Sequence, residues 1–257
     1  MICRLHGHIL NKTARQTLLT APDSSKSWFV KLRSLCDQYN LPTPLNLILN
    51  PLPKDQYKSL VRSHIVNYWE TQLRYEVSLL SSLSFFKSEF MSLCRPHFTW
   101  TTCGSNPFEA NKAVVMASML SGRYKTDYLA HHWDSSNPEG FCLDCLLNPS
   151  KGDITHLLLF CDALSRKRTE IIKYWYMKSQ SNRELRNLLK LKLKAPISVF
   201  AAFLLDPSAD PDMIMGHQLN QYTLQELFQL CRTWCYAMHR QRLQLRGRYK
   251  QLDMHLR

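Results

Sequence analysis

Cys142-Leu143-Asp144-Cys145, followed by His156-Leu157-Leu158-Leu159-Phe160-Cys161, is the stretch on which the reading of this chain turns. As ligands it spells C-x2-C-x10-H-x4-C. Two thiols two residues apart grip one ion from a single tight turn, and a His and a Cys on the first turns of a helix close the tetrahedron. Zinc takes four N/S donors in that geometry, and a closed four-donor site is structural rather than catalytic. The order Cys-Cys-His-Cys is that of a zinc knuckle, with a longer central gap than the compact retroviral form. The plainer alternative is that these are buried core residues, since cysteine is common in interiors. Four donors within 20 residues in a workable order favour the zinc site, with Cys142, Cys145, His156 and Cys161 as ligands and Zn²⁺ as cofactor. A thioredoxin-like redox motif is disfavoured, because nothing before Cys142 reads as the strand it should follow. His131 and His132 are spare donors should one of the four fail.

The rest of the chain reads as mainly α. It has 257 residues, 45% of them hydrophobic, and only 7 glycines, so it can bury a core. Trp28, Leu32, Leu35, Cys36 and Tyr39 mark one helix face, ended by Asn40-Leu41-Pro42. Tyr57, Leu60, Val61, Ile65, Tyr68, Trp69 and Leu73 mark a long amphipathic helix from about Lys54 to Leu80. Asn106-Pro107-Phe108-Glu109 opens another as a capping box, with Ala110, Ala113, Val114, Ala117 and Leu120 as a narrow small-residue face and Gly122 as the stop. Phe85, Phe86, Phe90 and Met91 form an apolar knot. Asp153 and Thr155 cap the short helix that carries His156 and Cys161. Thr223-Leu224-Gln225-Glu226 is a capping box for a last helix, whose apolar side includes Cys231 and Cys235 as core thiols. Asp206 to Asp212 reads as a plain acidic loop rather than a metal site. Arg240 to Lys250 reads as a fraying basic tail. The expected organisation is a helical region over 1–135, the zinc knuckle over 136–168, and basic helices over 169–257.

The formal charge is +13, of which +8 falls in residues 141–257. A basic balance favours polyanions, meaning nucleic acid (RNA or DNA) or an acidic membrane face, although ordinary solubility charge would also account for it. From Ala163 to Lys194 ten basic residues face two acidic ones. Ile171, Tyr174, Trp175, Leu185, Leu188 and Leu189 keep a helical pattern through that segment, which points to folded basic helices. Arg166-Lys167-Arg168 would offset the single negative charge of three thiolates and a neutral His around Zn²⁺, and could also face phosphate. Arg123, Lys125, Arg166, Lys167, Arg168 and Lys173 are the candidate nucleic-acid contacts. Around Arg123-Tyr124-Lys125, Tyr128 and His131-His132-Trp133, aromatic and basic residues interleave as in strand-holding surfaces, or as the polar rim of a helix pair. No secretory leader or membrane-length apolar run is visible, and nine scattered cysteines suit a reducing compartment, nuclear or cytoplasmic.

Leu120-Ser121-Gly122-Arg123-Tyr124, the Cys/His cluster and Thr155-His156-Leu157-Leu158, in that order, resemble the region downstream of the polymerase core in reverse transcriptases of non-LTR (LINE-type) retrotransposons. The resemblance spans about Ser27 to Arg168, and residues 179–257 carry no assignable motif. It implies a helical post-thumb region and a Cys-Cys-His-Cys knuckle that help hold template RNA and target DNA during target-primed reverse transcription. The polymerase chemistry does not carry over, since paired carboxylates for two Mg²⁺ ions are needed and no Tyr-x-Asp-Asp stretch exists here. The expectation is a zinc-stabilised nucleic-acid-binding fragment, non-catalytic on its own. The competing expectation is a zinc-folded scaffold for protein–protein contacts.

Overall fold

In the computed structural model the described residues are 16, 28–80, 83–87, 93, 96–132, 136–145, 150–210 and 219–255. Phe90, Met91, Trp133 and Asp212, which figure in the expectations above, lie outside them. The chain divides into two compact units, Met1–Glu76 and Val77–Arg257. Among the described residues the architecture is helical, with one isolated antiparallel bridge between Phe141 and Lys151. No helix among them is long and apolar enough to cross a membrane.

In the first unit, α1 (Trp28–Gln38) ends at Asn40, whose φ of +50° is the left-handed cap that Asn tolerates better than most residues. Leu41 N–H then bonds back to Cys36 C=O at 2.7 Å. Pro44 sits at the start of α2 (Pro44–Leu49), where its missing N–H costs nothing, and the Thr43 side chain accepts from Asn46 N–H. α3 (Lys54–Leu79) has the extent of the long helix expected, but of the apolar face read from the sequence none is buried and Trp69 is exposed; Val77 is the buried residue of the helix. Tyr39 meets Tyr68 edge to face at 5.0 Å. The expected face of α1 is only partly an interior one: Cys36 is buried, whereas Trp28 and Leu35 are exposed.

The second unit is built round α10 (Gln221–His255). Leu227, Phe228, Leu230, Cys231, Trp234, Cys235 and Met238 are all buried and recur at helical spacing along it. Against it pack α5 (Pro107–Leu120), α7 (Ser165–Lys178) and α9 (Ile197–Leu205). The short α4 (Phe98–Thr101) and α8 (Arg183–Lys192) complete the surround, and α6 (Asp127–Ala130) leads toward the Cys/His segment. The Cys/His segment and the helices after it share one apolar core, which includes Cys142, Cys145, Cys161, Trp175 and Trp234. Trp175 and Trp234 each spend their indole N–H on a buried carbonyl, of Leu230 and Leu158, both at 3.3 Å.

Several local expectations change. Asn106 does cap α5, but Glu109 does not reach back to close a capping box. It pairs with Lys112 at 2.6 Å and with Arg232 at 3.4 Å, because two buried cations need it more than an exposed N–H does. The buried side of α5 is Lys112, Ala113, Met116, Met119 and Leu120, and Val114 is exposed, so the small residues do not define the contact. α10 starts two residues before Thr223, capped by Asn220, whose side chain accepts from Thr223 N–H at 2.8 Å. Thr223 and Glu226 instead receive the Asn182 amide. The basic stretch from Arg240 is no frayed tail: α10 runs through it, and Arg242 is 5% exposed.

Candidate metal centre

The site starts from a short backbone pairing. Cys142 N–H donates to Ser150 C=O at 2.8 Å and Gly152 N–H to Gly140 C=O at 2.9 Å, on either side of the Phe141–Lys151 bridge. Gly140 has φ +63°, which turns the chain into this pairing. Gly152 is required by closeness: a Cβ there would lie 2.9 Å from Asp127 Cβ and 3.1 Å from Cys142 Cα. The Cys142-to-Cys145 turn closes with Cys145 N–H on Cys142 C=O at 3.4 Å.

The other two donors come from a π-turn, His156–Phe160. On an ordinary α-helix, residues five apart point roughly 140° away from each other. The wider turn, closed by Cys161 N–H on His156 C=O at 2.8 Å, brings both toward one side, as such turns often do at functional sites. Asp153 caps it as expected, accepting from His156 N–H at 2.7 Å, whereas Thr155 makes no side-chain cap.

The four donor atoms lie within 4.8 Å of one another and could hold one metal ion. Cys145 Sγ is 3.5 Å from Cys161 Sγ and 3.3 Å from His156 Nε2, and Cys142 Sγ is 3.9 Å from Cys161 Sγ. All four residues are buried, Cys161 completely. His156 Nδ1 lies 3.0 Å from Ser150 Oγ, the kind of outer partner that fixes a ligating ring's orientation. The cluster's protons are unequally held. Cys142 is pushed down to about 4, chiefly by the hydrogen bond from Cys161 and further by His156 and the Asp144 N–H, against its burial. Cys161, which keeps the shared proton and is itself buried, is raised far above the ordinary thiol range. His131 and His132 stand outside the cluster: their rings lie against each other, and His131 Nδ1 meets Tyr128 C=O.

The charged residues fall into distinct places. Arg123, Lys125 and Lys173 are exposed. Arg166 and Lys167 share Glu170, at 3.5 Å and 2.8 Å. Arg168 is half-buried toward Cys161, Asp162 and Cys145; burial lowers its pKa while those groups raise it, and its Nη1 has no hydrogen-bond partner. Lys192, counted among the basic surface, is buried and paired with Asp210 at 2.6 Å. In the described part of the acidic loop Asp206 caps Ser208 through Oδ1 and meets His97 Nε2 through Oδ2 at 3.3 Å, beside the Lys192–Asp210 pair. Tyr124 is buried with its hydroxyl 3.1 Å from His239 Nδ1, and the Tyr128 face is covered by Lys151 Nζ at 3.6 Å. Those rings are therefore not open stacking platforms.

The sequence reading missed the ring around the four clustered donors: Ser150, Asp127, Asp144, Arg242 and Arg246. Asp144 lay inside the CxxC, and the two arginines are four apart on α10, one face of a helix. Comparison with protein-family models, with curated proteins and with solved structures gives no match.

Proposed function

We propose that the Cys142–Cys145–His156–Cys161 cluster is a structural zinc site ordering a helical module that binds nucleic acid and is non-catalytic on its own. The module is of the kind that follows the polymerase core in LINE-type reverse transcriptases. The observation that carries the reading is the spacing of the donors. A tetrahedron with Zn–S bonds of about 2.3 Å has S···S edges of about 3.8 Å. The sulfurs here stand 3.5 and 3.9 Å apart, with His156 Nε2 filling the fourth corner. Three sulfurs and one nitrogen favour zinc over hard cations, and four buried protein donors leave no position for substrate.

The nucleic-acid reading draws on the charge of +13 and on exposed Arg123, Lys125 and Lys173, with Arg166 and Lys167 beside them in the reading though tied to Glu170. Arg168 is better placed to offset thiolate charge than to touch phosphate. The test is fluorescence anisotropy of the whole zinc-loaded chain with single-stranded RNA and with duplex DNA at low salt. Binding that weakens steeply with salt, and weakens further in Arg123→Glu with Lys173→Glu, supports the reading. No binding at low salt overturns it. The scaffold alternative draws on exposed Leu191, Leu193, Ile197 and Val199 next to Lys190 and Lys194. It requires partner capture to survive charge reversal at Arg166, Lys167 and Arg168.

A further inference from the structure

Behind the Cys142-to-Cys145 turn lies a buried cluster of two carboxylates and two guanidiniums. Arg242 Nη2 donates to Asp127 Oδ1 at 3.0 Å, its Nε to Asp144 Oδ2 at 3.4 Å, and its Nη1 to Lys125 C=O at 2.8 Å. Arg246 Nη2 reaches both oxygens of Asp127, at 2.5 and 2.7 Å, and Asp144 Oδ2 at 3.3 Å. Leu143 N–H, in the turn between the two cysteines, donates to Asp127 Oδ2 at 3.2 Å. Asp127 and Asp144 are each 3% exposed.

We propose that Arg242 and Arg246 are positioning residues of the metal centre, and that its occupancy is coupled to the order of α10 beyond Met238. This rests on reading the Cys/His cluster as a metal site. Carboxylate oxygens of Asp127 and Asp144 lie within 4.8 Å of Cys142 Sγ. Unopposed, two negative groups so close would repel the thiolate that a metal ion requires. The two guanidiniums cancel them and fix the turn through Asp144, which sits between the ligands. Asp144 Oδ1 and Arg246 Nε are already buried without partners, so losing a member would leave still more buried polar groups unpaired. Coupling is reciprocal: if the arginines favour the bound ion, the ion favours the arginines' helix by the same factor. Arg242 and Asp144 stand 98 residues apart in sequence, so the link joins the knuckle to the end of the core helix.

The experiment is competition for Zn²⁺ between the full chain and a chromogenic chelator, with Co²⁺ absorption bands as a second readout of ligand geometry. The variants are Asp144→Asn, Arg246→Gln, the exposed control Arg240→Gln, and the core control Phe203→Leu. Asp144→Asn and Arg246→Gln should each bind zinc about 10- to 100-fold more weakly and shift the Co²⁺ bands. Both controls should match the parent chain even where Phe203→Leu lowers Tm. In the parent chain, chelation should speed amide exchange over residues 240–247 more than in α7. Should Asp144→Asn fail to fold, Arg246→Gln decides, since its side chain is 33% exposed. Parent-like zinc affinity in the arginine variant, with one zinc in the parent, overturns the coupling alone. No zinc in the parent overturns the metal reading and the coupling with it.

Discussion

Replacing Lys192 by Met separates a buried structural cation from a surface one, and the outcome differs in both stability and binding. Lys192 Nζ stands 2.6 Å from Asp210 Oδ1, with side chains 2% and 3% exposed, and 5.6 Å from the Phe203 ring centre. Removing the ammonium takes from the buried Asp210 carboxylate the cation that stands 2.6 Å from it. Breaking a buried pair in this way costs about 3–5 kcal/mol. For a unit the size of Val77–Arg257 each kcal/mol moves Tm by about 2–4 °C, so Lys192→Met should melt about 6–20 °C lower. Lys192→Met with Asp210→Leu should recover most of that loss, because the pair is then replaced by apolar volume. Nucleic-acid affinity should keep its salt slope in Lys192→Met. Lys173→Gln, a change on the surface, should leave Tm within about 1 °C and flatten the slope by about 0.7 to 0.9, one phosphate contact. The measurements are calorimetry and anisotropy at several salt concentrations. A loss below about 1 kcal/mol in Lys192→Met, the scale of exposed pairs, or a flattened slope in that variant, would refute the placement of Lys192 in the interior.

Cys235, pushed up to about 12 by burial, should resist alkylation in the native chain at pH 8, whereas Cys142, held near 4, should react first once a chelator has emptied the centre; peptide mapping after timed labelling distinguishes them. His239 is held below its ordinary range by burial, then by Arg240 and Arg242, so the unfolded chain binds a proton there that the folded chain refuses. Stability should therefore fall as pH drops through about 6.5, and His239→Gln should reduce that part of the slope in urea titrations. Trp234→Phe removes the N–H that Leu158 C=O accepts within the π-turn and should cost about 1–3 kcal/mol by taking away that buried carbonyl's indole donor, read as a lower urea midpoint.

What was legible in the sequence is what short-range chemistry writes there. Donor spacing picked out four residues that the fold does bring within 4.8 Å of one another, and apolar periodicity gave the extent of α3 and the buried side of α10, Cys231 and Cys235 included. Proline at the start of α5 marked its beginning, whereas Pro42 and Pro44 read only as the end of α1 and not as the opening of α2. What was not legible depends on partners far along the chain. Glu109 looked like a cap because Arg232, 123 residues further on, could not be seen to claim it. Lys192 looked like surface charge because Asp210 lay 18 residues off in what read as a plain loop. Arg242 and Arg246 looked like a tail because the carboxylates that hold them are 98 to 119 residues upstream. The π-turn was hidden too: the x4 spacing does not say which helical pitch brings His156 and Cys161 to one side.

Metal content by native mass spectrometry, on the purified full chain and on Cys142→Ser, tests the central claim most directly. One zinc per chain, absent or greatly reduced in the variant, is the predicted result. A metal-free parent chain, folded and with its helices intact, would contradict the account.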